Sequence, residues 1–260
     1  MLESSQLYQK FLKLFYSPVE SNVAVALEIA KGHELPQIKK LLDDYLNAAK
    51  NLYDPNLEES KAEHICKLNQ PILDLNLQYL YAFPAETCLL THLKELRLDH
   101  NKLTFLPEEL ENLYQLERLS LYGNSLDELP EGLGKLENLY DISLEHNEFE
   151  ILPEALRGLL QLRILSLESN FVVELPSWIG ELKQLEYLNF SYNDLRVLPS
   201  SIGGLESLEN LNLRHNPIRE IPEEIMYLKN LKWLDIDQQH LSKASLAHLE
   251  KLSWVDITLL

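Results

Sequence analysis

The feature that most constrains this 260-residue chain is a phrase that returns every 23 residues. Residues 116–136 are LERLSLYGNSLDELPEGLGKL, and residues 139–159 are LYDISLEHNEFEILPEALRGL. Both keep the spacing L-x-x-L-x-L-x-x-N-x-L followed by x-x-L-P, with occasional exchange of one apolar residue for another. Strict register over several copies predicts a stacked array of similar structural units. Six copies place their asparagines at Asn101, Asn124, Asn147, Asn170, Asn193 and Asn216.

Two less regular copies flank this run. Before it, the spacing continues through Leu73 and Leu75, but Gln78 stands where asparagine is expected. After it, Gln239 takes the asparagine position and no Leu-Pro step follows. Terminal repeats of a stacked array are usually atypical, because they cap it. We therefore expect eight repeats, over about residues 70–250.

These residues resemble the leucine-rich repeat, in its 23-residue Leu-Pro subtype. The resemblance implies an α/β fold: a right-handed, horseshoe-shaped leucine-rich repeat solenoid with a parallel sheet on the concave side and a helical N-terminal cap. The residues agree with it, because alternating leucines such as Leu119 and Leu121 point inward from a short strand while Ser120 points outward. An asparagine at the following turn can bond neighbouring backbone groups with its amide. The six asparagines are thus predicted to form a structural ladder.

The N-terminal residues do not follow the period. Apolar spacing predicts helices at about 4–16, 17–32 and 35–53, and YDPNLEES at 53–60 is typical of a turn or linker. One interpretation is a cap over the exposed edge of the first strand, and the alternative is a separate recognition domain. At the other end, Trp254 and Ile257 are expected to pack in a C-terminal cap. The predicted divisions are residues 1–64, 65–243 and 244–260.

Charge and composition limit the classes of function. The chain has 23 basic and 41 acidic residues, a net charge of −18, which disfavours nucleic acid and anionic membrane surfaces as partners. The acidity either serves solubility or attracts a basic partner. The first residues do not resemble a signal peptide, and two cysteines, Cys66 and Cys88, fit a reducing compartment. The expected location is cytoplasmic, with a secreted or translocated protein as the alternative.

Catalytic signatures are absent from the sequence. It contains no phosphate-binding G-x-x-x-x-G-K-[ST] motif and no H-E-x-x-H motif. Some bacterial leucine-rich repeat effectors are ubiquitin ligases with a Cys-x-Asp motif, but neither Cys66 nor Cys88 begins one. His100, His146 and His215 recur at one repeat position, but two repeats lie about 10 Å apart, which is too far for one metal ion. We predict a protein that is not an enzyme and has no cofactor or metal site.

The outward positions of neighbouring strands indicate where a partner binds. Small polar residues recur in the middle of each strand, acids gather in the central repeats, and large apolar side chains gather toward the C-terminal half. Such side chains are common among binding hot spots, although strand propensity alone is an alternative explanation. Trp178, on the convex side, either packs under a neighbour or marks a second contact surface. The predicted partner-binding residues are Tyr122, Asp141, Glu145, Glu148, Ile164, Glu168, Phe171, Tyr187, Tyr192, Arg214 and Trp233.

The sequence therefore predicts a non-catalytic scaffold that binds a protein or peptide on its concave face. A basic segment of the partner is expected over the acidic residues, with an apolar anchor near Tyr187. Two alternatives stay open: a secreted or translocated bacterial effector, and a regulatory subunit of a separate enzyme. Self-association is a further possibility, through an uncapped edge or through the surface at Trp178.

Overall fold

The repeats build one parallel sheet whose strands follow each other in chain order. The computed structural model describes residues 2–33, 35–53, 55–59 and 61–259. Neighbouring strands pair residues that are 23 positions apart, so that Leu119 lies opposite Ile142, and the sequence period is also the register of the sheet. Within the described ranges the nine strands are β1 (Ile72–Asp74), β2 (Glu95–Arg97), β3 (Arg118–Ser120), β4 (Asp141–Ser143), β5 (Ile164–Ser166), β6 (Tyr187–Asn189), β7 (Asn210–Asn212), β8 (Trp233–Ile236) and β9 (Asp256–Leu259).

Short 3₁₀ helices form the opposite side of the solenoid. Each begins directly after the proline of a Leu-Pro, Phe-Pro or Ile-Pro step, as Glu131–Lys135 does after Pro130. Proline suits this position, because its missing N–H would be unpaired at a helix start and its φ angle is already helical. The other six are Ala85–Leu89, Glu108–Asn112, Glu154–Gly158, Ser177–Glu181, Ser200–Gly204 and Glu223–Tyr227. These elements confirm the predicted α/β solenoid.

The inward leucines join into one continuous core. It runs from Phe11 in the first helix to Leu252 near the C-terminus, and the strand leucines within it are almost fully buried. Trp178 belongs to this core, since only 6% of it is exposed within its 3₁₀ helix. Of the two alternatives for Trp178, packing under a neighbour is therefore correct.

The buried asparagines connect each repeat to the one before it. At Asn147, Oδ1 accepts a hydrogen bond from the Leu126 N–H (3.0 Å), and Nδ2 donates to the carbonyls of Leu121 (2.9 Å) and Leu144 (3.1 Å). The other five asparagines bond backbone groups in the same way. These amides satisfy backbone groups that the turn itself leaves unpaired.

Among the described residues, four helices precede the sheet: α1 (Leu2–Phe15), α2 (Glu20–Gly32), α3 (Pro36–Leu52) and α4 (Ala62–Leu68). The first three agree with the predicted helices, but α4 was not predicted, and the division placed between residues 64 and 65 falls inside it. Residues 54 and 60 of the predicted linker lie outside the described residues. Asn69, just after α4, ties the helices together: it accepts from the Tyr45 hydroxyl (2.9 Å), and its Nδ2 donates to the carbonyls of Phe15 and Ser17.

The C-terminal region continues the sheet instead of only covering it. Helix α5 (Lys243–Glu250) replaces the short 3₁₀ helix, and β9 then pairs with β8 so that Ile257 lies opposite Leu234. Ile257 is partly buried against the core, but the prediction that Trp254 packs in a cap is wrong. Its side chain is 44% exposed, with the Lys229 ammonium 4.8 Å from the ring centroid.

Replacing one buried asparagine should destabilise the whole stack. The Asn147→Ala substitution leaves the Leu126 N–H and the carbonyls of Leu121 and Leu144 buried without their partner, which should cost about 2–4 kcal/mol of unfolding free energy. Urea denaturation followed by circular dichroism measures this loss. The control is Asn112→Ala, at an exposed position, which should change stability by less than about 0.5 kcal/mol. Equal losses in both variants would contradict a structural role for the amide.

Glycine at position 180 is required by close packing between repeats. A Cβ atom built there would overlap the carbonyl oxygen of Ser201 in the next 3₁₀ helix, so Gly180→Ala should destabilise the protein by about 1–3 kcal/mol. The matched control is Gly32→Ala at the end of α2, where a Cβ would meet nothing within 4 Å. Gly32→Ala should be neutral or stabilising by up to about 1 kcal/mol. Thermal unfolding of both variants measures the two changes in stability. A Gly180→Ala variant that melts at the same temperature as the wild type would contradict the requirement for glycine.

Candidate functional site

Three central strands bring three of the predicted acidic residues together with two of the predicted apolar ones. On the sheet surface Asp141 lies opposite Ile164, and Ile164 lies opposite Tyr187. The alternate residues of these strands, such as Leu165, are buried in the core, so these side chains face outward. The backbone N–H of His146 donates to the Glu168 carbonyl (2.8 Å), which extends the alignment past the strand ends. We call the outward positions here the central grid: Asp141, Ser143, Glu145, Ile164, Ser166, Glu168, Tyr187, Asn189 and Ser191.

Small polar side chains form the floor of the central grid. Ser166 is 4% exposed and Asn189 is 3% exposed, because the larger side chains on either side of them shield them from solvent. Asn189 Oδ1 accepts from both the backbone N–H and the hydroxyl of Ser191. The Ser166 hydroxyl has no hydrogen-bond partner within the described part of the chain. The middle line of the sheet surface therefore carries small side chains, and the charged and aromatic side chains lie along both sides of this line.

Two of the three carboxylates of the central grid are held by neutral donors. Glu168 accepts from the Asn189 amide (2.9 Å), and Glu145 accepts from the Ser143 hydroxyl. In the described ranges no ion pair reaches Asp141, Glu145 or Glu168. Burial raises the pKa of Asp141, the charge of Arg118 opposes that rise, and Glu145 adds to it. The centre of the face thus carries negative charge that no paired cation neutralises.

Tyr187 stands next to these acids. Its ring is 36% exposed, and the partly buried Ile164 is its neighbour on the adjacent strand. The pKa of the Tyr187 hydroxyl is raised, first by burial and then by the charges of Glu145 and Glu168. Trp233, 50% exposed, lies two strands further along, beyond Asn210. An apolar contact surface therefore borders the acidic one.

The other predicted tyrosines pack against histidines at the strand ends. Tyr122 lies between His100 and His146, with ring centroids 4.6 Å and 5.0 Å away and edge-on geometry. Tyr192 lies 4.2 Å from the His215 ring. These contacts hold the rings in place, as aromatic pairs do when they bury shared area. The described part of the chain contains no group of three or more His, Cys, Asp or Glu residues arranged to hold a metal ion.

Two predicted site residues lie past the strand ends, and a third is half-buried. Glu148 and Phe171 each follow a buried asparagine, so they lie past the strand ends on the side of the solenoid, whereas the sequence analysis placed them on the concave face. Arg214 is half-buried, and its Nε atom is enclosed without a hydrogen-bond partner among the described residues. The central grid therefore contains five of the predicted partner-binding residues: Asp141, Glu145, Ile164, Glu168 and Tyr187.

The sequence analysis missed a chain of ion pairs on the N-terminal strands. Arg97 contacts Glu95 (2.6 Å) on its own strand and Asp74 (3.5 Å) on the preceding one, and Arg118 reaches Glu95 at 3.8 Å. Glu95, Arg97 and Arg118 border a depression of about 270 Å³ that reaches Asp141. The alternation of positive and negative charge at neighbouring outward positions could have predicted these ion pairs from the sequence. The N-terminal part of the face is thus neutralised, in contrast to the central grid.

Neither cysteine forms a disulfide. Burial, followed by the charges of Glu109 and Glu86, raises the pKa of the Cys88 thiol to about 12. Cys88 therefore stays protonated at neutral pH, and because the thiolate is the reactive form, it is a poor nucleophile. Cys66 is half-buried, and its Sγ lies 2.7 Å from the Pro18 carbonyl oxygen.

None of the described helices combines the length and the apolar character needed to cross a membrane.

Family models match three consecutive parts of the chain. A leucine-rich repeat region matches residues 175–259, a leucine rich repeat matches residues 115–172, and a further leucine rich repeat matches residues 92–113. The matches begin at the second strand and extend through β9, including the part that the sequence analysis treated as a cap. Among curated proteins, none matches this sequence significantly.

Solved structures of the same architecture resemble the chain. The plant peptide hormone receptor RGFR1 in complex with RGF2 is 27% identical over 74% of this chain and 33% of the receptor, with a TM-score of 0.60. A TDR receptor is 29% identical over 73% of this chain and 34% of that one, with a TM-score of 0.64. Internalin C2 from Listeria monocytogenes is 22% identical over 84% and 92%, with a TM-score of 0.66. The chain spans about a third of the length of the two receptors.

The register of the strands, the continuous core and the family matches together define a repeat solenoid with one parallel sheet. Within that class, the chain belongs to the leucine-rich repeat proteins.

The proximity of Tyr187 to the acidic residues can be measured directly. Both carboxylates disfavour the negative phenolate, so a Glu145→Gln/Glu168→Gln variant should lower the pKa of Tyr187. The pKa should stay above its ordinary value, because burial is the larger cause. NMR titration of ¹³C-labelled tyrosine gives the shift. As the control, Glu223→Gln at an exposed position of the last 3₁₀ helix should leave it unchanged. An identical Tyr187 titration in the wild type and the double variant would show that the three groups are not coupled.

Proposed function

We propose that the protein is a non-catalytic scaffold that binds a protein or peptide on its concave face. The observation that carries this proposal is the central grid, where the unpaired acids Asp141, Glu145 and Glu168 adjoin the half-exposed Tyr187 and Ile164. A basic segment of the partner lies over the acids, and an apolar side chain of the partner packs against Tyr187. Tyr192 and Trp233 extend the contact surface toward the C-terminal strands.

Charge and apolar contact area contribute to different properties of this binding. Unpaired surface carboxylates attract a basic partner and raise its association rate, an effect that salt weakens. Affinity comes mainly from the aromatic side chains, which supply large contact area at low entropy cost. Pairing within the N-terminal strands, through Arg97 and Arg118, makes that part of the face less attractive to a cation. The charge pattern therefore favours binding at the central strands.

The similar structures support a polypeptide as the partner. RGFR1 is a peptide hormone receptor of the same architecture, solved with RGF2. Since this chain spans only a third of that receptor, the likeness suggests the class of partner and not its identity.

Three further assignments belong to this proposal. We assign the Leu-Pro subtype, because neighbouring strands pair residues 23 apart and a proline precedes each 3₁₀ helix. We assign the cytoplasm as the working compartment, because both cysteines are free thiols. The N-terminal helices act as the cap of the solenoid, which their shared core with the repeats supports.

Substitution of the aromatic side chains tests the proposed site. Tyr187→Ala and Trp233→Ala should each weaken partner binding by about 1–3 kcal/mol, because each removes exposed aromatic contact area. A pull-down from lysate of the source organism, read by mass spectrometry, identifies proteins that the wild type captures and a Tyr187→Ala/Tyr192→Ala/Trp233→Ala variant loses. Calorimetry with the purified partner then gives the individual losses.

The matched control for this experiment is Tyr227→Ala. Tyr227 is 60% exposed at the end of a 3₁₀ helix on the opposite side of the repeats, so its loss should leave the affinity unchanged. Circular dichroism checks that all variants fold. A partner that the triple variant still captures, or that Tyr227→Ala releases equally, would contradict the concave site.

A further inference from the structure

A regular surface follows the strands on one side of the solenoid. After its buried asparagine, each repeat runs along this side, and backbone hydrogen bonds connect it to the repeat before it. Phe171 donates to the carbonyl of Phe149 (2.9 Å), Val173 to that of Glu150 (3.3 Å), and Asp194 to that of Val172 (3.0 Å). Side chains at equivalent positions are therefore neighbours, about 4.8 Å apart as in a sheet.

Large apolar side chains collect at one place on this surface. Ile151 is 65% exposed, Phe171 54%, Val173 44% and Val197 45%; we call these four residues the lateral patch. They come from three consecutive repeats: Phe171 and Val173 lie two residues apart in one repeat, the bond from Val173 to Glu150 brings Val173 beside Ile151 of the repeat before, and Val197 follows in the repeat after. Exposed apolar side chains that are grouped in this way and rimmed by polar residues mark an interaction site.

Strand propensity does not explain the lateral patch, because other repeats carry charged residues at the same positions. Val173 occupies one repeat position, and Ile151 and Val197 both occupy the next. The repeat before the patch has Asp127 and Glu128 at these two positions. The repeat after it has Arg219 and Glu220 there. The fold tolerates polar residues at these positions, so the apolar side chains are not needed for packing.

Unpaired acids surround the lateral patch. Glu148, Glu150, Glu174 and Asp194 are exposed between or beside the apolar side chains, and Arg196 is the only basic residue among them. No ion pair involves any of these five side chains in the described part of the chain. On other faces, acids pair with the neighbouring repeat at close range, as in Lys94–Glu117 (2.6 Å), Arg163–Glu186 (3.0 Å) and Lys183–Glu206 (2.7 Å).

We propose that the lateral patch is a second docking surface, for a protein that presents basic side chains around an apolar centre. Apolar contact supplies the affinity, and the four carboxylates select lysine or arginine at the rim. A second copy of this chain fits poorly, because it would bring four carboxylates against four others. The site goes beyond the concave-face proposal and does not depend on it, since Ile151, Val173 and Val197 lie outside the central grid.

Methyl NMR can locate binding at the lateral patch without knowledge of the natural partner. The probe is the peptide acetyl-Lys-Leu-Lys-Leu-Lys-amide, added to the full chain with ¹³C-labelled Ile and Val methyl groups. Saturable shifts are expected at Ile151, Val173 and Val197, while Ile164 reports separately on the concave face. The peptide with Glu in place of Lys should cause no shift, and the peptide with Ser in place of Leu should bind at least tenfold more weakly.

Charge-reversal variants separate specific docking from general attraction to an acidic protein. Glu150→Lys/Glu174→Lys should weaken the peptide at least tenfold at the lateral patch. The matched control, Glu137→Lys/Glu223→Lys, changes two exposed acids outside the patch and should weaken it less than twofold. Equal weakening by both variants, shifts confined to Ile164, or no saturable shift would overturn the proposal. Patch shifts that grow with protein concentration alone would assign the surface to a second copy instead.

Discussion

The amide of one buried asparagine per repeat is the interaction on which the rest of this structure depends. After each strand the chain passes through a residue with positive φ, between 51° and 68° in the regular repeats, and this turn leaves backbone groups that its own repeat cannot pair. The asparagine of the next repeat accepts from one of them and donates to another. Because an unpaired buried backbone group costs about 1–3 kcal/mol, neighbouring repeats are locked at one register, and stability accumulates from neighbour to neighbour.

Fixed register turns equivalent positions into continuous lines of side chains, and the candidate site follows from that alignment. Asp141, Ile164 and Tyr187 are 23 residues apart in sequence yet adjacent on the sheet. The folding energy lies in the buried leucines and asparagines, so the outward positions can vary at little cost. Exposed ion pairs are worth only about 0–1 kcal/mol. The pairs on the N-terminal strands therefore shape the charge of the face more than they stabilise it, and the unpaired acids of the central grid do not endanger the fold.

The repeats and the first three N-terminal helices could be predicted from the sequence, whereas α4 and β9 could not. The repeat predicts the strands, their pairing and the buried asparagines, because each depends on local spacing. Helix α4 has only seven residues, too few for a clear apolar period, and β9 follows a helix instead of a Leu-Pro step, which hid its equivalence to the other strands. At the candidate site, the sequence predicts which outward residues are aligned on neighbouring strands. It does not predict which charged residues form ion pairs, because that depends on how far each side chain reaches. Arg97 pairs within its own strand, whereas Glu145 and Glu168 find neutral donors.

One repeat links the two proposed contact surfaces. Between Ile164 and Val173 the chain contributes to the central grid, passes the buried Asn170, and then forms the middle of the lateral patch. Asn170 is bonded to the carbonyls of Leu144 and Leu167, so the backbone between the surfaces is held rigidly. A ligand that binds one surface therefore finds the other surface already in its binding conformation. If the ligand has a second binding segment linked to the first, that segment binds the other surface at high effective concentration. The same bond that fixes the register of the stack thereby fixes the relative orientation of its two candidate contact surfaces.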